Sequence, residues 1–175
     1  MVHRLFFALL PNNSLRRQLH HVTKKIDIRS GRWVRIDNLH LTLLFLGNIT
    51  SKQLPCIDNA ASKIHIKPFS FTIDQLGHFK KSKVLWLGDS RQSCAPLMSL
   101  ATQLKENVSA CDIALEKIKF QAHVTLARKV NSFHGQGIVD QITWPVNDFC
   151  LMESIPVERG VVYQVVQRYP LTASQ

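Results

Sequence analysis

A chain of 175 residues, 45% hydrophobic and 19% charged, can bury a substantial core as one compact domain or as two small lobes sharing an interface. Its formal charge of +10 favours polyanionic partners, because each phosphate neutralised by Lys or Arg releases condensed counterions. No stretch approaches the roughly 20 apolar residues that a bilayer crossing needs, so a soluble, cytoplasmic protein is expected and a membrane-spanning one is not.

The run Leu5-Phe6-Phe7-Ala8-Leu9-Leu10 ends at Pro11 with no small-residue cleavage pattern, which predicts a buried strand over His3–Leu10 rather than a targeting segment. Asn13 or Ser14 then caps a helix with Leu15, Leu19, Val22 and Ile26 on one face. Trp33 to Ile36 reads as a short extended piece, followed by an apolar strand over Leu39–Leu46 that Gly47-Asn48 closes. A second helix opens at Thr50 or Ser51, with Pro55 in its first turn and Leu54, Ile57, Ala61 and Ile64 inward. Strands are predicted over Phe69–Leu76 and Val84–Leu87, joined by the basic run Lys80-Lys81-Ser82-Lys83. Leu97, Leu100, Ala101, Leu104 and Val108 mark a third helix. Strands return at His123–Val130, Asp148–Ile155 and Val161–Gln167, the last two as a hairpin around Pro156 to Gly160.

This order lacks the regular βαβ rhythm and any glycine-rich phosphate loop, so the expected class is α+β with largely antiparallel sheet. Cys56, Cys94, Cys111 and Cys150 are widely separated and form no C-x-x-C pair; they read as reduced thiols. A helix followed by a His-x-Thr strand occurs once in each half, which hints at two similar lobes.

Those two strands, Leu39-His40-Leu41-Thr42-Leu43 and Ala122-His123-Val124-Thr125-Leu126, carry the chemistry. Residues i and i+2 of a strand share a face, so each strand sets an imidazole beside a hydroxyl among apolar neighbours. One such histidine is commonly a hydrogen-bonded core residue; the repetition is what is informative. Imidazole has an unperturbed pKa of about 6.5, so near neutral pH one ring can take a proton from a nucleophile while its neighbour gives one to a leaving oxygen. Threonine hydroxyls and a nearby Arg or Lys can hold a phosphate. This suits opening of a cyclic phosphodiester by water and needs no cofactor. H-E-x-x-H, G-x-S-x-G and Walker patterns are absent, and no acidic cluster suggests a metal site.

With these motifs in place, the chain resembles the two-histidine (2H) phosphoesterase superfamily, specifically the RNA 2′,3′-cyclic phosphodiesterases also called 2′-5′ RNA ligases. The likeness includes Arg4-Leu5-Phe6-Phe7-Ala8, the segment Asn38 to Gly47, Val84-Leu85-Trp86-Leu87-Gly88, Glu153-Ser154, Tyr163 and Tyr169-Pro170-Leu171. It implies one bilobal domain over 1–175, two similar lobes with helices outside and a central cleft between them. It implies hydrolysis of 2′,3′-cyclic phosphate ends of RNA or oligonucleotides to 2′-phosphates; no cofactor or metal is expected, and the sequence leaves the oligomeric state undetermined, with a monomer as the default. In the family's assignment His40 donates a proton to the leaving 3′ oxygen, His123 activates water, and Thr42 and Thr125 hold the phosphate; the residues alone leave donor and acceptor interchangeable. Arg128 matches a phosphate-contacting position, yet strand alternation points it away from His123 unless the strand bulges near Ala127. Where the family usually has Pro before the second histidine, this chain has Ala122. The alternatives are a binding module that holds nucleotides or RNA ends without turnover, and ligase activity in the same cleft.

Overall fold

The unbroken apolar run Leu5–Leu9, buried throughout, places the first strand inside a sheet rather than at its rim. The computed structural model describes residues 1–116, 119–135, 137–158 and 160–172. In chain order the elements are β1 (Val2–Leu9), α1 (Asn13–Thr23), β2 (Asp27–Ile28), β3 (Arg32–Trp33), β4 (Leu41–Thr50) and α2 (Leu54–Ser62). There follow β5 (Phe69–Phe79), β6 (Val84–Gly88), α3 (Ala95–Val108) and β7 (His123–Arg128). The chain closes with β8 (Phe133–His134), β9 (Ile138–Val146), β10 (Asp148–Val157) and β11 (Gly160–Pro170).

The main sheet runs β11-β10-β1-β4-β7-β6-β5-β9, with β3 also paired to β7, while β2 and β8 form a separate two-stranded pair. The ladders are antiparallel throughout, so the class is α+β. The β4–β7 seam joins two halves of the sheet through the single pair Leu41↔Val124. Leu5, Phe7 and Leu9 of β1, Leu41 of β4 and Val124 and Leu126 of β7 pack with Leu97, Leu100 and Leu104 of α3 in one continuous core. Among the described residues no helix is long and apolar enough to cross a membrane.

Several boundaries differ from those the sequence suggests. Asn12, rather than Asn13 or Ser14, caps α1, its Oδ1 accepting the Leu15 amide at 2.9 Å. β4 does not stop at Gly47 but passes through it to Thr50, Gly47 taking a φ of 78° that glycine adopts without a Cβ penalty. The second helix therefore starts at Leu54, with Pro55 in its first turn. Of the expected extended piece Trp33–Ile36 only Trp33 lies in a strand, as the second residue of β3; Ile36–Asn38 coils into a 3₁₀ turn that delivers His40. β9 has no counterpart in the sequence reading; as the outermost strand it has one edge that needs no ladder partner, which tolerates Pro145.

The cysteines require a correction. Cys56 of α2 and Cys111, just beyond α3, form a disulfide with a Cα–Cα distance of 5.6 Å, and only Cys94 and Cys150 are free thiols. The two helices pack side by side, which brings together residues 55 apart in sequence.

Candidate active site

The histidines reach one place because β4 and β7 are antiparallel neighbours. Around Leu41↔Val124, the antiparallel direction sets Thr42 opposite His123 and His40 opposite Thr125, all on one face. His40 and His123 are then diagonal neighbours, a relation that in a regular pair separates the residues by about 7–8 Å.

Each ring is fixed in the same way. His40 Nδ1 lies 2.7 Å from the carbonyl oxygen of Asn38, and His123 Nδ1 lies 2.7 Å from that of Gln121. A carbonyl only accepts, so both Nδ1 atoms carry a proton and donate it, leaving both Nε2 atoms for chemistry. His40 Nε2 is 3.1 Å from Thr42 Oγ1, whose hydroxyl can donate to it when the ring is neutral. Aromatic rings wall each imidazole. Phe6 and Tyr163 stand 5.1 and 4.9 Å from His40, centroid to centroid. Phe79 and Trp86 stand 5.1 and 6.3 Å from His123. Trp86 fits there because Gly77, directly across the β5–β6 ladder, leaves its ring the room that any Cβ would take.

Burial sets the protonation of both rings. It is the largest cause holding His40 down to about 4, reinforced by the Arg128 and His123 charges and opposed by the Asn38 carbonyl. His123 is also lowered, first by burial and then by Arg128, with the Gln121 carbonyl opposing. Without a bound anion, both rings are neutral at pH 7.

Arg128 joins the site through a bulge. Trp86 pairs with Thr125 and Leu85 with Ala127, so Leu126 is an extra residue on β7. Leu126 and Ala127 are both buried, and Arg128 returns to the face of His123 and Thr125. β4 bulges twice in the same manner, at Leu43 and Leu46 opposite β1. The bulge at Leu43 puts Thr42 and Phe45, three residues apart, on the cleft face.

Two adjoining cavities open over these residues. One, of about 420 Å³, is lined by His40, Arg128, Arg4, Ser154 and Tyr163 among others. The second, of about 400 Å³, is lined by His123, Thr42, Lys105, Lys119 and Phe120 among others. Phe45, 57% exposed, and Glu116 border both. Thr125 shares the face of His123 but lines neither cavity. Of Phe45, Phe79 and Trp86, Phe45 is exposed, Phe79 half-buried and Trp86 buried. Ala122 is buried and leads directly into β7, whose first residue is His123. The roles of Asn38, Gln121 and Tyr163 are not evident from sequence; the nearest signal is a carbonyl two residues before each His-x-Thr. Among the described residues no group of His, Cys, Asp and Glu could hold a metal ion.

Residues 9–86 match the model of the LigT-like phosphoesterases. The chain is 34% identical over 126 residues to the RNA 2′,3′-cyclic phosphodiesterase of Escherichia coli, 71% of each chain. A crystal structure described as a phosphoesterase superposes with a TM-score of 0.92 at 29% identity, covering 98% of this chain and 99% of that one. E. coli LigT in complex with 3′-AMP superposes with a TM-score of 0.86 at 29% identity, with 98% and 99% covered.

Proposed function

The chain belongs to the LigT-like phosphoesterases, the family of the RNA 2′,3′-cyclic phosphodiesterases, and on that premise we propose that it opens 2′,3′-cyclic phosphate ends of RNA or oligonucleotides to 2′-phosphates with His40 and His123 as its acid–base pair. The observation that carries this reading is the matched setting of the two rings: both Nδ1 atoms are tied to main-chain carbonyls, so both Nε2 atoms are directed to chemistry.

His123 Nε2 takes a proton from water as the water oxygen attacks phosphorus, and the bond from phosphorus to the 3′ oxygen breaks. His40 Nε2 supplies the proton that the departing 3′ oxygen needs. Its depressed pKa means that the proton arrives with the substrate, because the phosphodiester charge beside it stabilises the imidazolium. Arg128 and Thr42 bind the non-bridging phosphate oxygens, and Thr125 supports the same face from beside His123. Proton transfer by paired side chains suffices for this reaction, so no metal enters it. The sheet halves on either side of the β4–β7 seam act as the two lobes of a single domain, each delivering one histidine.

The test is hydrolysis of a 2′,3′-cyclic nucleotide in EDTA by the wild type, His40→Ala and His123→Ala, with products separated by chromatography. A 2′-phosphate product is expected, with a loss of about 10²–10⁴-fold in each variant, the usual contribution of a positioned acid or base. Turnover within a few-fold of wild type in either variant would overturn the assignment, and a 3′-phosphate product would overturn the leaving oxygen.

A further inference from the structure

The pairing of β3 with β7 sets Arg32 directly opposite Arg128. Like charges at such positions repel, so this ladder pair is unfavourable without an anion. The same strip continues across β6. Val84 pairs with Arg128, the Val130 amide donates to the Lys83 carbonyl at 3.0 Å, and Lys129 follows Arg128. Lys80, Lys81 and Lys83 lie on the turn joining β5 to β6. All six cations are exposed, and among the described residues none makes an ion pair. No Asp or Glu occurs in 29–36, 79–84 or 128–135. Lys83 and Lys129 have φ of 55° and 59°, left-handed backbone that a side chain disfavours, yet lysine occupies both positions.

This edge is continuous with the reaction site at both ends. Arg128 lines the His40 cavity. Phe79, whose ring meets His123 edge-on, is the residue immediately before Lys80. A row of exposed cations that leads away from a reaction site suits single-stranded nucleic acid, the cations following its phosphate backbone.

We propose that this edge, from Arg128 and Arg32 to the Lys80–Lys83 turn, holds the phosphates of the RNA strand 5′ to the cyclic end, so that the substrate is an oligonucleotide several residues long rather than a mononucleotide. The proposal rests on the cyclic phosphodiesterase reading above and adds the body of the substrate to it.

The experiment compares a ten-nucleotide RNA ending in a 2′,3′-cyclic phosphate with a 2′,3′-cyclic mononucleotide. Wild type, the charge reversal Lys80→Glu/Lys81→Glu/Lys83→Glu and the neutral Lys80→Gln/Lys81→Gln/Lys83→Gln are assayed at 50 and 200 mM salt. If the turn contacts about three phosphates, the counterion relation gives a salt slope near −2, so wild-type affinity for the ten-mer falls about 15-fold across that range. Both variants should raise KM for the ten-mer about tenfold or more at 50 mM and flatten its salt dependence, leaving kcat and all mononucleotide kinetics unchanged. Ten-mer KM within twofold of wild type, or an equal loss on both substrates, would overturn the proposal. Fluorescence anisotropy with a labelled ten-mer reads the edge without turnover. Wild type that hydrolyses neither substrate yet binds the ten-mer in a lysine-dependent way would defeat the catalytic reading and leave the edge standing.

Discussion

Phosphate binding should move a proton onto His40. In the free protein this ring is held down to about 4 from 6.5, chiefly by burial and then by Arg128 and His123. That corresponds to ~3 kcal/mol favouring the neutral form. A unit negative charge about 4 Å away, at the effective dielectric of about 20 that describes such sites, returns about 4 kcal/mol to the cation. The two are of the same size, so an anion in the His40 cavity brings the ring back to the neutral range or above it. The measurement is an NMR titration of the imidazole Cε1–H resonances with and without saturating inorganic phosphate. His40 should titrate below pH 5 in the free protein and at or above 6 with phosphate. His123 should rise in the same direction, since burial and Arg128 also depress it. Arg128→Gln should raise the free value of His40 by removing a repulsive charge, while weakening phosphate binding. A His40 that titrates near 6.5 in the free protein, or that saturating phosphate moves by less than one pH unit, would refute this coupling of burial to phosphate binding.

Stability should depend on pH through the same ring. An unfolded chain binds a proton near pH 6.5 that the folded His40 refuses until about 4, so stability is complete above 6.5 and falls as pH drops through that window. The loss from His40 approaches ~3 kcal/mol at pH 4, His123 adds to it, and urea denaturation of His40→Asn should give a flatter pH profile than wild type. Gly77→Ala drives a methyl group into the Trp86 ring and should cost about 1–3 kcal/mol, read as a lower Tm, with reduced turnover because Trp86 supports His123; an unchanged Tm would contradict the packing. Denatured but unreduced protein should titrate two thiols rather than four, and Cys56→Ser/Cys111→Ser should lose about 2–4 kcal/mol in urea denaturation, because the disulfide closes a 55-residue separation.

Local chemistry alone determined much of this molecule. Apolar residues at helical spacing located α1, α2 and α3, and alternating or continuous apolar runs located most long strands, because those periodicities are properties of a segment and need no partner. The repeated His-x-Thr likewise put each imidazole beside its threonine, since residues i and i+2 share a face in any strand. What lies across from a segment is not written in the segment. The strand alternation of β7 points Arg128 away from His123; only its register against β6, with Leu126 as the extra residue, turns the guanidinium into the His40 cavity. Burial, which lowers both imidazoles, depends on the walls supplied by Phe6 and Tyr163 on one side and Phe79 and Trp86 on the other. The disulfide depends on α2 lying against α3, and β9 on an edge position that tolerates Pro145. Periodicity is local and therefore legible, whereas register, burial and contact between distant segments arise only when the whole chain packs.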